Sequence, residues 1–390
     1  MKKKSELKRF KFIPVNKPLV TKKDIEYIKS SISKGWISSE GPEVKKFEKN
    51  FSKFVGHQYS VAVSSGTAAL EIAIKSLKLK KRDEVIIPNF TIISNAIAVL
   101  KENLKIKLVD CSLDDWNMSI SDIEKKITSK TKAIIATHIY NFPLRIDLLQ
   151  KICKKKNIIL IEDAAEALGQ KLNNRLCGSF GDMSIFSFYA NKQITTGEGG
   201  MITTNNKKFY DQAKSFRNLC FGKKDRFNHE DIGWNYRMTN IQASLGVSQL
   251  KRIESIVKKR HEVGKKYYEK LKNNPNLYIP ETARSYAKNI YWVIAIVITN
   301  KNLKIDAKSL TKKLLKYGIQ TRPFFWPMHK QKILKNKLKI TSKENYKNSE
   351  YISRYGLYLP SSLDIKNSQI DFICKKVNFL LVFHGFLKKN

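Results

Sequence analysis

Ser187-Phe188-Tyr189-Ala190-Asn191-Lys192-Gln193-Ile194-Thr195-Thr196-Gly197-Glu198-Gly199-Gly200 is the stretch whose reading decides the fold. The apolar run from Met183 to Phe188 has strand composition and delivers one lysine to a glycine-rich turn that holds a single acid. An amine between a buried strand and a tight turn is desolvated, and its pKa falls. That is the state a lysine needs to form a Schiff base with an aldehyde. The alternative is a solvated loop lysine, as most lysines of this chain are.

On either side of this stretch short apolar runs alternate with helical patterns. Strands are expected at Ser60–Val63, Glu84–Ile87, Ile106–Asp110, Ala133–Ile139, Ile158–Glu162, Met183–Phe188 and Met201–Thr204. Amphipathic helices are expected at Ala68–Leu77, Ile120–Ile127 and Leu148–Lys156. The alternation predicts βαβ units and a mainly parallel sheet covered by helices on both faces. Ile241, Leu245, Leu250, Ile253 and Val257 keep helical spacing, which predicts one long or kinked helix over Thr239–Leu271. Beyond about residue 275 the pattern changes to a strand at Tyr291–Thr299, a helix at Asp306–Tyr317 stopped by Gly318, and a final helix at Asn367–Phe383. The expected organisation is a large α/β domain over 1–250 and a smaller α+β domain over 251–390.

The 390 residues carry 74 Lys+Arg against 34 Asp+Glu, a formal net charge of +40. The excess is spread in short lysine runs such as Lys154-Lys155-Lys156, which reads as compositional bias and not as a nucleic-acid footprint. A basic surface still attracts an anionic substrate such as a sugar nucleotide. The five cysteines are dispersed, with no CxxC pair and no zinc spacing, so no metal site is expected and a reducing cytoplasm fits. Residues 1–9 are basic without a following apolar region, and no apolar run reaches the roughly 18 residues of a membrane span. A cytoplasmic protein with no membrane partner is expected.

Two further segments carry chemistry. In Val63-Ser64-Ser65-Gly66-Thr67-Ala68-Ala69-Leu70 a strand gives way to a helix through small residues. Free N–H groups at the helix start make an anion site, with Gly66 allowing close approach and Thr67 adding a hydroxyl; simple N-capping by Ser65 or Thr67 explains the same residues. In Ile158-Ile159-Leu160-Ile161-Glu162-Asp163-Ala164-Ala165-Glu166-Ala167 carboxylates cluster at a strand end, where open α/β sheets bind ligands. Asp163 there suits a cationic partner such as a pyridinium N–H, a helix dipole, or, more weakly, magnesium. A phosphate cradle, a strand-end aspartate and a strand-to-turn lysine are what a pyridoxal phosphate site requires.

With these residues in view the chain resembles the DegT/DnrJ/EryC1/StrS sugar aminotransferases, and within them the perosamine synthase-like 4-aminotransferase branch. The matching segments are Gly35-Trp36-Ile37-Ser38-Ser39-Glu40-Gly41, Ser65 to Leu70, Pro88-Asn89-Phe90-Thr91, Glu162 to Ala167, Ser187 to Gly200, Gly233-Trp234-Asn235-Tyr236-Arg237-Met238-Thr239-Asn240-Ile241, Gly318 to Pro323 and Leu357-Tyr358-Leu359-Pro360. The resemblance runs from about residue 12 to 382. It implies a fold type I pyridoxal phosphate transferase in which Lys192 carries the cofactor and moves the proton. It implies that Asp163 meets the pyridine nitrogen and that Ala165 floors the ring. Gly66, Thr67 and Ser187 would hold the phosphate, and Asn235 would reach the phosphate of a neighbouring subunit, making the active unit a homodimer. Glu166 would sit beside the phenolic oxygen, where relatives often place glutamine or histidine; a carboxylate there must be protonated or bridged by water. Many relatives carry an aromatic at the position of Ile92, so here Phe90 or Ile92 covers the ring.

Trp36, Ser38, Arg237, Arg322 and His329 are candidate substrate residues. Trp36 also suits a core anchor, Arg237 a structural role or the amino donor's carboxylate, and Arg322 a carboxylate, a pyrophosphate or a salt bridge. Arg322 and His329 flank Pro323-Phe324-Phe325-Trp326-Pro327, a stretch suited to a lid. His138, on an apolar run, is expected to be a satisfied core histidine. The resemblance implies amino transfer from glutamate to a nucleotide-linked 4-keto-6-deoxy sugar, of the kind used in amino-sugar polysaccharide and O-antigen synthesis. Alternatives are a 3-keto sugar, a pyridoxamine-dependent sugar dehydratase, whose relatives replace the lysine with histidine, or a non-catalytic basic nucleic-acid-binding protein.

Overall fold

The computed structural model describes residues 12–222, 224–335, 337–338 and 344–386. The basic segment 1–9 lies outside them. The large sheet is built from β1 (Tyr59–Val63), β2 (Glu84–Pro88), β3 (Lys105–Val109), β4 (Thr131–Thr137), β5 (Ile159–Asp163), β8 (Met183–Ser187) and β9 (Gly200–Thr204); β6 (Lys171–Leu172) and β7 (Arg175–Leu176) form a small hairpin between β5 and β8. Its order is β1-β9-β8-β5-β4-β2-β3. Neighbours from β8 to β3 pair in parallel, while β9 runs antiparallel to both β1 and β8. β2 and β9 are buried along their whole length, which is why they read as apolar runs. Two apolar layers cover the faces: Phe47, Phe51, Ile134, Leu149, Phe186 and Val247 on one side, Val61, Leu70, Ile72, Ile87, Ile185 and Ile202 on the other.

A second, antiparallel sheet follows in the order β10-β13-β15-β14, from β10 (Leu277–Tyr278), β13 (Ile294–Ile298), β14 (Arg322–Pro323) and β15 (Gly356–Leu359), with β11 (Ala283–Arg284) and β12 (Ala287–Lys288) forming a separate hairpin. Helices Ile253–Leu271, Ala307–Leu315 and Asn367–Phe386 supply Tyr267, Leu271, Leu310, Leu314, Ile373 and Val377 to its core. An aromatic seam of Phe90, Trp116, Tyr140, Trp292 and Phe324 joins the two sheets. Among the described residues no helix is long and apolar enough to cross a membrane. All five cysteines are free and buried.

The strands fall where the alternation put them. The largest differences in bounds are that Ala133–Ile139 stops at Thr137 and that the strand within Tyr291–Thr299 is only Ile294–Ile298. The stretch Thr239–Leu271 is two helices, Asn240–Leu250 and Ile253–Leu271, parted at Lys251–Arg252. Apolar periodicity continues in phase across the break, so spacing alone hides it. Helices Lys22–Ser33 and Pro42–Val55 went unrecognised, although the Thr21/Asp24 capping box and Pro42 at the first turn mark them.

Glu162 ties β5 to the hairpin. It is wholly buried and accepts the N–H groups of Gly178, Phe180 (2.8 Å) and Gly181 (3.0 Å), the Ser184 hydroxyl (3.3 Å) and His138 Nε2 (2.9 Å). His138 Nδ1 in turn accepts from Leu144 N–H at 3.1 Å, so His138 is the satisfied core histidine expected. Cys177 completes a buried trio with these two residues, but hydrogen bonds within the protein already occupy both His138 nitrogens and both Glu162 oxygens. Burial opposes Glu162 ionisation, yet His138 and the N–H donors outweigh it and hold the carboxyl below its ordinary value. A lowered folded-state pKa stabilises above the unfolded value and is lost as pH falls. Glu162→Gln is expected to cost about 3 kcal/mol in urea unfolding at pH 7, the scale for breaking a buried charge network, with the deficit shrinking below about pH 4.

Candidate active site

Lys192 lies five residues beyond β8, in a loop that folds back on the strand end. Phe188 N–H donates to Gly199 O (2.9 Å) and Thr196 N–H to Phe188 O (3.0 Å), closing the loop at its base. Thr195 N–H donates to the Gln249 side chain at 2.9 Å, and Gly197 turns the chain at φ +82°. The indole of Trp292 donates to Asn191 O (3.0 Å), and Lys192 Nζ stands 3.9 Å from the centre of that indole ring. Only 11% of the Lys192 side chain is exposed. Burial lowers its pKa, against the opposing pull of Glu166 and Asp163.

Asp163 closes β5 and is 1% exposed. Its oxygens accept Ala165 N–H (3.1 Å) and the Thr137 hydroxyl (3.3 Å). Among the described residues no cation lies within ion-pairing distance of it. Burial pushes its pKa up, with Ala165 N–H, Lys192 and Thr137 only partly compensating. Glu166, one turn further on, accepts Tyr140 N–H at 2.9 Å and faces Lys192 Nζ at 3.9 Å.

The helix Gly66–Ser76 starts at the end of β1, capped by the Ser65 hydroxyl on Ala68 N–H (3.1 Å). Capping therefore belongs to Ser65, and the N–H groups of Gly66 and Thr67 precede the first intrahelical donor. A Cβ at Gly66 would lie 3.0 Å from Ser187 Cβ, so the missing side chain leaves a cradle between the helix start and the end of β8. The Thr67 hydroxyl meets the Ser94 hydroxyl at 2.8 Å.

The other candidates fall into three groups. Ile92, two residues before Ser94, is 44% exposed, whereas Phe90 is enclosed by Tyr140, Phe324 and Phe325 and presents no free face. Ala165 is half-buried beside Asp163. Asn235 is exposed and accepts from Arg237 Nε at 2.8 Å; Arg237 also reaches Asn218 (3.3 Å), and their segment runs along the end of β1 through Ser64 N–H to Tyr236 O (2.8 Å). Trp36, 46% exposed, and Ser38 lie on a loop whose carbonyls are held by buried Asn240. Arg322 is exposed and bonds Tyr358 at the rim of the aromatic seam. His329 is occupied elsewhere: it contacts Asn89 (3.1 Å) and Glu350 (2.9 Å) and stacks on Tyr346.

Sequence reasoning missed Trp292 and Tyr140, which pack parallel 5.9 Å apart beside Lys192. Trp292 sat inside a run read as plain strand, and Tyr140 just past the end of another. Tyr140 has a positive φ of 58° just past β4, a conformation that composition does not announce.

The model of the DegT/DnrJ/EryC1/StrS aminotransferase family matches residues 18–378. The chain belongs to this family. It is 36% identical over 369 residues to GDP-perosamine synthase of Escherichia coli O157:H7, covering 94% of this chain and 98% of that protein, and 32% identical to the same enzyme of Vibrio cholerae, covering 93% and 97%. Helicobacter pylori PseC, an aminotransferase of pseudoaminic acid biosynthesis, superposes with TM-score 0.89 at 25% identity over 95% of this chain and 99% of its own. The dehydratase ColD with bound GDP-perosamine gives 0.87 at 25% identity over 94% and 100%. Family members of this fold use pyridoxal phosphate, and the residues present fit it: a buried carboxylate without a cation, a cradle that a Cβ would fill, and a desolvated lysine.

Asp163 makes a prediction of opposite sign with and without cofactor. Its raised pKa means that ionised Asp163 destabilises the bare protein at neutral pH, a penalty that disappears as pH falls through its folded value. Asp163→Asn should therefore match or exceed the wild type in thermal unfolding without cofactor at pH 7, while binding pyridoxal phosphate on the order of 100-fold more weakly in a fluorescence titration.

Proposed function

We propose that the chain transfers an amino group from glutamate to C4 of a nucleotide-linked 4-keto-6-deoxy sugar, with GDP as the nucleotide. The observation that carries this is a buried lysine facing Glu166 and Asp163 beside an open helix N-terminus, in a chain whose curated relatives include GDP-perosamine synthases. Bound there, pyridoxal phosphate supplies an aldehyde and an electron-withdrawing ring that carry the amino group between the two substrates. Lys192 holds it and, when released, moves the proton between carbons as base and then acid. Asp163 keeps the ring nitrogen protonated, and that charge in turn gives Asp163 the cation it lacks. Gly66, Thr67 and Ser187 take the phosphate at the helix start. Ile92 and Ala165 would cover the ring, since Phe90 is shut into the seam.

Asn235 is exposed and Arg237 half-buried, and the segment before them carries Phe227 and Ile232 at 78% and 76% exposure. These support a homodimer in which Asn235 completes the partner's phosphate site, in a cytoplasmic protein without a nucleic-acid role. Trp36, Ser38 and Arg322 are the side chains assigned to the sugar nucleotide, and the surplus of basic side chains favours its anionic pyrophosphate.

A panel of GDP-, dTDP- and UDP-linked 4-keto-6-deoxy sugars with glutamate, followed by 2-oxoglutarate release, tests the reading. Turnover should be highest with the GDP sugar, and release with none of the panel sinks it. Lys192→Ala should lose the visible absorbance of bound cofactor together with on the order of 1000-fold or more of turnover. Gly66→Val should fold but bind the cofactor poorly, because its side chain fills the cradle against Ser187.

A further inference from the structure

Lys192 and Glu166 are both largely buried, at 11% and 7% side-chain exposure, and stand 3.9 Å apart. The gap is too long for a resting hydrogen bond and short enough to close by rotation of either side chain. Glu166 Oε2 is held by Tyr140 N–H, which leaves Oε1 turned to Nζ. Of the neighbouring carboxyls, Asp163 too is raised by burial. Asp163 is engaged by Ala165 N–H and Thr137. His138 is spent on Glu162 and Leu144. The Tyr140 and Tyr358 phenols are raised by burial and stay neutral, with Arg322 bonded to the latter. Trp292 offers its ring face to the ammonium and no base. Burial opposes both charges of the pair, lifting Glu166 to about 7 and lowering Lys192.

We propose that Glu166 and Lys192 hold a single proton between them, and that Glu166 is the base that takes the lysine's proton each time the amine becomes a nucleophile. In the transfer an Nζ–H bond breaks and an Oε1–H bond forms. The electron pair of the broken bond stays on nitrogen as the attacking lone pair. The site's total charge is unchanged, which matters where a lone buried charge is costly. The role rests on Lys192 being the reactive amine, and it is one that glutamine at 166, a neutral amide, does not perform.

Two measurements on the full-length protein test this. The first needs no cofactor: an infrared titration from pH 5 to 9. The C=O band of a buried protonated carboxyl should vanish around pH 7 in the wild type and be missing from Glu166→Gln. Its absence from the wild type throughout overturns the proposal. The second follows the rate at which pyridoxal phosphate develops its visible band. In the wild type the rate should rise through pH 7. In Glu166→Gln, which keeps the acceptor for Tyr140 N–H, that step should disappear and the rate at pH 7 fall about tenfold; Glu166→Asp, which keeps a carboxyl, should restore the step. Superimposable profiles for wild type and Glu166→Gln overturn it. A visible band in Lys192→Ala instead removes Lys192 as the reactive amine and leaves the infrared result standing.

Discussion

The site depends on how one strand end disposes of two adjacent carboxylates. Successive residues of a strand point to opposite faces, so at the end of β5 Glu162 and Asp163 enter different surroundings. Glu162 turns to the hairpin side and is saturated by N–H donors, the Ser184 hydroxyl and His138. Asp163 turns to the open side and keeps two weak donors and, among the described residues, no cation within ion-pairing distance. The first carboxylate is satisfied by the fold alone and depressed in pKa; the second is left needing something that the chain does not supply. A register slip of one residue would exchange their faces and destroy both arrangements.

The second sheet is part of the site and not an appendage to it. Trp292, just ahead of β13, pins the Asn191 carbonyl and lays its ring beneath Lys192 Nζ. Tyr140, just past β4, stacks on that indole and hands its N–H to Glu166, while its hydroxyl accepts Phe325 N–H at 3.2 Å. The desolvation that tunes Lys192 and Glu166 is therefore made jointly by both sheets. Moving one relative to the other would rehydrate the amine and the carboxyl together.

What was legible in the sequence follows from the range of the interactions concerned. The strands of the large sheet show because most are largely apolar over their own length, β3 with Lys105 and Lys107 being the exception, and Lys192, Asp163 and Gly66 show because each follows or closes a strand beside a turn. The break at Lys251–Arg252 does not show, because it preserves the apolar phase. His329 looked like a lid residue from its place in the chain, but its contacts to Asn89 and Glu350 come from 240 and 21 residues away. The burial of Phe90 likewise comes from long range, with Phe324 and Phe325 closing over it while Ile92 stays exposed. Glu166 was visible as an oddity, a carboxylate where a neutral group is expected; its explanation lies in Tyr140 and Lys192, and in no local pattern.

The backbone does not decide between transferring an amine and removing a hydroxyl. The chain overlays the aminotransferase PseC and the dehydratase ColD about equally well, at TM-scores of 0.89 and 0.87. Selection between the reactions therefore falls to side chains at the end of β8 and the groups that set their protonation. A lysine at 192 is useful only if it can be neutral part of the time. In a chain of net charge +40 the general field works in that direction, because neighbouring cations disfavour one more. The opposing pull comes from Glu166 and Asp163, and burial limits how far either carboxylate exerts it by keeping its own ionised form unfavourable. The amine is thus held between states by two acids that are themselves reluctant to ionise, which a solvent-exposed lysine on the same surface never experiences.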